Sequence, residues 1–366
     1  MSLETLKEAK RIMEICNSCR YCEGFCAVYP AMELRRTFRD DDLKFLANLC
    51  HNCRDCYYAC QYAPPHEFKI NVPQTFAELR LNTYQQAAAP KIFKGMFNNN
   101  GKMVFIVHIL SILIVWAATL LFQNSEQIFG THLGPNAFFQ VISYSMMVVP
   151  ISILSVLLMA GMLMSFNNFW QMIGGKRQEL MDFGSHRQAI KDALSLKYLS
   201  GGGHGCNYPD EHFSKIRRNF HHATFYGFML CFASTISAAL YHHFLHLPSP
   251  YPIFSFPVLS GSIGGLALLI GTSGLLYLKT RMDPEPASEN TAGMDFGFLI
   301  SLFLTSLTGL LLLILRETPL MGSLLVIHIG VVVGLFITMP YGKFVHGIYR
   351  YAALVRNANE QAKEAS

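Results

Sequence analysis

The sequence predicts an all-α protein in two parts. A helical, cysteine-rich head occupies residues 1–102, and six membrane-crossing helices occupy residues 103–366, with a polar loop at 167–219. Three observations carry this: long stretches without charge, two matching cysteine runs, and almost no strand-like alternation in the head. Hydrophobic residues make up 51% of the 366-residue chain and charged residues only 14%, where soluble domains run near a quarter charged. The mean hydropathy is +0.28. These values exclude disordered, collagenous and low-complexity classes.

The head comes first. Leu6, Ile12 and Ile15 repeat at helical spacing, as do Leu43, Leu46 and Leu49 after a run of acids at 40–42, and acids early in a helix favour its positive end. Eight of the ten cysteines fall here in two identical runs. Cys16, Cys19, Cys22 and Cys26 read C-x2-C-x2-C-x3-C, and so do Cys50, Cys53, Cys56 and Cys60. This is the spacing of bacterial two-cluster ferredoxins, in which the fourth cysteine of each run ligates the other cluster. Three thiolates in one turn hold three corners of a cubane, and the fourth must come from elsewhere. Cys16, Cys19, Cys22 and Cys60 are therefore expected on one [4Fe–4S] cluster, and Cys50, Cys53, Cys56 and Cys26 on the other. The proline that usually follows the fourth cysteine is Ala27 in one run and Gln61 in the other. Structural zinc needs four ligands and would leave a surplus cysteine in each run; disulfides are disfavoured where thiols stay reduced. The head is thus a helical, two-cluster ferredoxin-like domain.

Six uncharged, mostly apolar stretches follow: Met103 to Phe122, Phe138 to Phe166, Phe220 to Leu247, Tyr251 to Leu278, Phe296 to Leu315 and Leu320 to Pro340. About 20 apolar helical residues cross a ~30 Å hydrocarbon layer. Continuous apolarity favours helices over barrel strands, which alternate. Of the lysines and arginines, 14 lie in residues 1–102, 8 in 167–219, 2 in 279–295 and 4 after Pro340, whereas the opposite loops hold only Arg316. The positive-inside rule places both termini in the cytoplasm. The net charge of +5 follows this membrane logic, so no nucleic-acid partner is expected. No cleavable leader is visible in the polar or mixed first 90 residues.

Histidines give the bundle its chemistry. Intramembrane histidine marks a functional site by default. The third span carries His221 and His222 at its inner start and His242, His243 and His246 near its outer end; the sixth carries His328, with His346 just beyond its inner end. Spans three crossings apart run antiparallel, so His221 or His222 lies level with His346, and His242 or His243 lies near the level of His328. Haem b takes two axial ligands from facing helices, and these tiers could supply one haem or two in a cytochrome b-like bundle. His328 and His346 stand 18 residues apart, five turns or ~27 Å of straight helix, with Pro340 and Gly342 between them. His108 is a reserve ligand. His51, His66, His186 and His212 read as polar surface, and Cys206 and Cys231 as non-ligands.

The Gly201–Gly205 segment lacks the Lys-Ser/Thr of a phosphate loop and reads equally as a close-packing junction between head and bundle or as a flexible turn. Residues 282–290, with Pro284 and Pro286, read as a linker, and the polar tail from Val355 as frayed. No nucleotide fingerprint, molybdenum signature or nucleophile constellation appears. The chain has conductors but no catalytic site for an organic substrate, and must receive electrons from another protein.

Together with the cysteine runs, Cys206-Asn207-Tyr208-Pro209, Phe225-Tyr226-Gly227-Phe228, Cys231-Phe232-Ala233-Ser234-Thr235 and Pro340-Tyr341-Gly342-Lys343-Phe344-Val345-His346 resemble the tricarballylate- or citrate-utilisation protein B family. The likeness spans nearly the whole chain. It implies a multi-pass protein of the bacterial inner membrane that carries [4Fe–4S] clusters and haem b. It also implies a cytoplasmic FAD-dependent dehydrogenase as electron donor, usually tricarballylate dehydrogenase, and membrane quinone as acceptor. The alternative is a quinone-linked iron–sulfur and cytochrome b subunit of another reductase, of heterodisulfide- or nitrate-reductase type.

Overall fold

The computed structural model of the protein describes residues 3–364. The head contains α1 (Leu3–Cys19), α2 (Val28–Glu33), α3 (Asp40–Leu49), α4 (Asp55–Tyr58) and α5 (Val72–Ala87). Asp40, Asp41 and Asp42 fill the first turn of α3, where their charge meets the positive end of the helix. Asn71 caps α5 by accepting from Gln74 N at 3.2 Å, and Pro73 occupies its first turn.

The bundle follows: α6 (Asn100–Phe122), the short α7 (Ser125–Phe129) and α8 (Ala137–Val141), α9 (Tyr144–Met172) and α10 (Phe183–Leu194), a two-residue hairpin of β1 (Cys206–Asn207) and β2 (Phe213–Ser214), then α11 (Ile216–His243), α12 (Phe256–Arg281), α13 (Glu289–Ile314), α14 (Met321–Thr338) and α15 (Val345–Glu364). Among the described residues, six helical stretches are long and apolar enough to span a membrane: α6, α9, α11, α12, α13 and the one beginning with α14. The protein is an all-α, multi-pass membrane protein.

Bundle packing relies on close backbone approach, as expected where lipid supplies no hydrophobic drive between helices. A Cβ on Gly264 of α12 would meet Gly227 O of α11 at 2.8 Å and Leu230 Cβ at 2.7 Å. α14 lies similarly against α6, where a Cβ on Gly330 would meet Ile112 Cα at 2.6 Å. α12 also packs on α13, and α13 on α14 and α6.

Two expectations need correction. The chain beyond Val355 does not fray, because α15 runs to Glu364 and buries Ala352, Leu354, Val355 and Tyr349 in one core with Leu6, Phe45, Leu46 and Phe76 of the head. An ion lattice seals this junction. Arg35 bonds Asp42 at 2.7 Å and Glu360 at 2.6 Å, while Arg356 reaches Glu360 at 2.9 Å and Asp42 at 3.4 Å. Both guanidinium groups lie over the Phe45 ring. Nor is 282–290 a passive linker. Tyr58 donates to Asp283 at 2.7 Å, Tyr57 to Glu285 at 2.6 Å, and Asn71 to Glu285 O at 2.9 Å, so this loop grips the head.

Candidate functional site

Both cysteine runs use the same local device: a helix ends, a residue turns left-handed, and the chain wraps back. α1 ends on Cys19, followed by Arg20 at φ 55°. α3 ends before Cys50, followed by Asn52 at φ 55° and Arg54 at φ 73°. Each wrap surrounds a cavity. One is lined by Cys16, Cys19, Cys22 and Cys60, and the other by Cys26, Cys50 and Cys53, with Cys56 on the wall between them. Cys60 thus sits with the first three cysteines of the other run, and Cys26 with Cys50, Cys53 and Cys56. Around both, burial pushes several thiols up. It raises Cys16 to about 12 and Cys22 to about 11, with neighbouring thiols adding to each rise, and it also raises Cys26 and Cys56.

Thiols that resist ionisation, gathered around each cavity, fit a centre that deprotonates them outright, which is metal chemistry. Among the described residues, no group of three or more His, Cys, Asp or Glu side chains closes tightly enough for one metal ion. Sulfurs placed around a cavity suit the corners of a cluster better than the ligand shell of a single ion, and thiolates are the donors that iron–sulfur clusters take. Backbone groups already point at sulfur, among them Asn52 N at 3.4 Å from Cys50 Sγ and the N–H groups of Val28 and Tyr29 toward Cys26.

The second cavity abuts the bundle. Gly201, at φ 46°, faces the Asp55 carboxylate where any Cβ would collide, and a Cβ on Gly205, at φ 115°, would meet Ser214 O at 2.6 Å. The glycine segment therefore packs against the head at its junction with the bundle. Asp55 accepts from Asn207 N at 2.9 Å, and burial pushes its carboxyl up. Sequence reasoning set Cys206 aside, yet it is fully buried beside Cys53, to which it is hydrogen-bonded, and its thiol donates to Leu199 O at 3.2 Å. Only tertiary contact brings it there; its lone spacing carried no signal. Tyr208 lies between Arg54 and Arg217, whose guanidinium carbons are 4.7 and 4.6 Å from its ring centre. His51, read as surface, is 5% exposed, with its ring 5.4 Å from that of Tyr198. His186 is also drawn in, bonding Tyr351 at 2.6 Å and Leu180 O at 2.9 Å.

Of the histidine tiers, the inner one is brought together. The His221 and His346 rings have centroids 6.3 Å apart and planes at 74°. The pair would supply two imidazole donors to one metal centre. His346 Nδ1 donates to Lys343 O at 2.5 Å, which leaves Nε2 as its free lone pair. His221 Nδ1 is buried without a partner. His222 turns toward Tyr226 instead, with centroids at 5.7 Å. The outer tier is arranged differently. His328 bonds Thr308 at 2.9 Å, His242 stacks on Tyr144 at 4.2 Å, and His243 bonds the Tyr144 hydroxyl. Among the described residues no ring contact joins His328 to His242 or His243. Nor is the sixth span straight: a 3-10 turn, Met339–Tyr341, separates α14 from α15 and so breaks the helix between His328 and His346. His108 Nδ1 bonds Val104 O at 2.9 Å, and its Nε2 is buried without a partner.

A thiol-lined helical head fixed onto six apolar helices defines a class: a polytopic membrane protein with a ferredoxin-like iron–sulfur domain and an electron-transfer role. Residues 9–87 match the family described as the citrate utilization protein B Fer4-like domain, and residues 98–366 match citrate utilization protein B. The chain is 45% identical to citrate utilization protein B of Escherichia coli, over 97% of this chain and 93% of that protein. It belongs to the citrate utilization protein B family. No solved structure matches it.

Proposed function

We propose that this protein carries electrons from the reduced FAD of a cytoplasmic dehydrogenase, tricarballylate dehydrogenase in the resemblance drawn from its sequence, to membrane quinone. When bound, two [4Fe–4S] clusters and haem b supply one-electron carriers, which divide the two-electron oxidation of a flavin into single steps. Cys16, Cys19, Cys22 and Cys60 would hold the first cluster, Cys26, Cys50, Cys53 and Cys56 the second, and His221 with His346 the haem. The lysine and arginine bias supports a head on the cytoplasmic side of the inner membrane, with both termini there.

The observation that carries this reading is the seating of the second cysteine set on the helices that bear the inner histidines. Arg350, one turn beyond His346, donates to Cys50 O at 2.7 Å, and Arg217, one turn before His221, donates to Asn52 O at 2.6 Å. The side chains of the first set line a cavity nearer the surface, where Cys19 is exposed, and so face an incoming donor. Those of the second are buried or nearly so and keep water from the junction. Purified protein from iron- and haem-replete cells should show cluster absorbance and a dithionite-reduced b-type spectrum. His346→Ala should remove haem and keep the clusters, and Cys53→Ser should do the reverse. A colourless, iron-free preparation refutes the proposal.

A further inference from the structure

Three arginines converge on the strip of chain between the second cysteine cavity and the His221–His346 pair, and a fourth, Arg54, lines that cavity beside Arg217 across the Tyr208 ring. Arg350 donates to Cys50 O at 2.7 Å and to Asn48 O at 3.3 Å. Arg217 donates to Asn52 O at 2.6 Å and reaches His51 O at 3.5 Å. Arg80 donates to Ala47 O at 2.9 Å and Cys50 O at 3.3 Å. Arg54 reaches across to Asp283 O at 3.0 Å and Met282 Sδ at 3.3 Å. Arg54 and Arg80 are buried, and Arg217 and Arg350 partly so. Their partners are carbonyls, sulfur or an aromatic face, and Arg54 Nε is buried without a partner; among the described residues none of the four forms an ion pair, and Asp55 and Asp283 are the carboxylates nearby. Four guanidinium groups withdrawn from water outnumber these two carboxylates, and such an excess is costly unless another anion compensates it. A cluster held by four thiolates is such an anion.

We infer that Arg217 and Arg350 are positioning residues, which lock the Cys50–Asn52 backbone at a fixed distance from His221 and His346 and, with Arg54 and Arg80, raise the reduction potentials of both centres. This rests on the proposed electron-transfer reading. The potential follows from charge alone. Each centre becomes more negative on reduction, and fixed cations nearby stabilise the more negative form. The locking follows from connectivity. Each arginine is four residues from its histidine on one continuous helix, so the forked donors and the imidazole cannot shift independently.

The test uses full-length protein in lipid nanodiscs, titrated potentiometrically while haem absorbance and cluster electron paramagnetic resonance are followed. Arg217→Gln and Arg350→Gln should each lower the midpoint of both centres, and Arg217→Lys and Arg350→Lys, which keep the charge, should return it to the parent value. Full cofactor content with unmoved midpoints overturns the inference. So does partial cofactor loss with unmoved midpoints in the remainder, which a merely structural role would give. Arg217 is the more peripheral of the two, and its pair of variants decides the question if Arg350→Gln does not accumulate. A parent protein without haem or clusters would instead defeat the electron-transfer reading itself.

Discussion

Removing one carboxylate should loosen the inner end of the bundle. Asp295 of α13 bonds Lys279 at the end of α12 at 2.5 Å and Lys343, in the turn before α15, at 2.7 Å. The side chains of the three are 13%, 16% and 26% exposed for Lys279, Asp295 and Lys343. One anion therefore joins three segments, two of which flank His346: Lys343 precedes it by three residues, and Phe298, one turn after Asp295, has its ring 6.4 Å from the imidazole. Asp295→Asn keeps the shape but leaves two largely buried ammonium groups facing a neutral amide. Breaking a buried pair by removing one partner costs ~3–5 kcal/mol. The residual exposure of Lys343 puts the expected loss near ~3 kcal/mol, about a hundredfold in the folded-to-unfolded ratio. The assay is unfolding in mixed micelles with rising dodecyl sulfate, followed by helical circular dichroism. The triple variant Lys279→Met, Asp295→Leu, Lys343→Met, which removes every charge together, should recover most of the loss. An Asp295→Asn protein within ~0.5 kcal/mol of the parent refutes the reasoning, since that is the range of an ordinary surface change.

Three further outcomes follow from the packing. Gly264→Ala should push α12 off α11 and cost ~1–3 kcal/mol, read by the same unfolding assay, because no Cβ fits against Gly227 O and Leu230. Gly205→Ala, forced into φ 115° against the Ser214 backbone, should lose ~1–3 kcal/mol and expose the 200–214 segment to limited proteolysis. Asp42→Asn removes the carboxylate between Arg35 and Arg356; the expected result is faster amide exchange in α15 and a loss of ~3 kcal/mol.

The parts legible in the sequence were those whose cause is local. Spans from α6 to α14 announce themselves by the absence of charge over a bilayer's thickness, and the cysteine runs by a spacing that fits one wrap of chain. The run spacing led to the expectation that Cys60 joins the first three cysteines of the other run, and the cavity linings group the side chains that way. The histidines were half legible. The antiparallel run of the third and sixth spans set His221 or His222 level with His346 and left the doublet open, and the 3-10 turn at Met339–Tyr341 decides where His346 lies relative to His328. Contacts between segments distant in sequence were invisible: the burial of His51, the meeting of Cys53 and Cys206, the grip of Asp283 and Glu285 on the head. The polar look of α15 misled because its charges pair with each other and with the head, not with water.

That last helix has a bearing on how the molecule is made. α15 follows every membrane passage in the chain, yet it supplies one wall of the core that α1, α3 and α5 begin. Domains ordinarily fold as units, the earlier ones first, while synthesis continues. Here the head completes that core only with a helix made after the whole bundle, so closure of the headpiece follows insertion into the lipid.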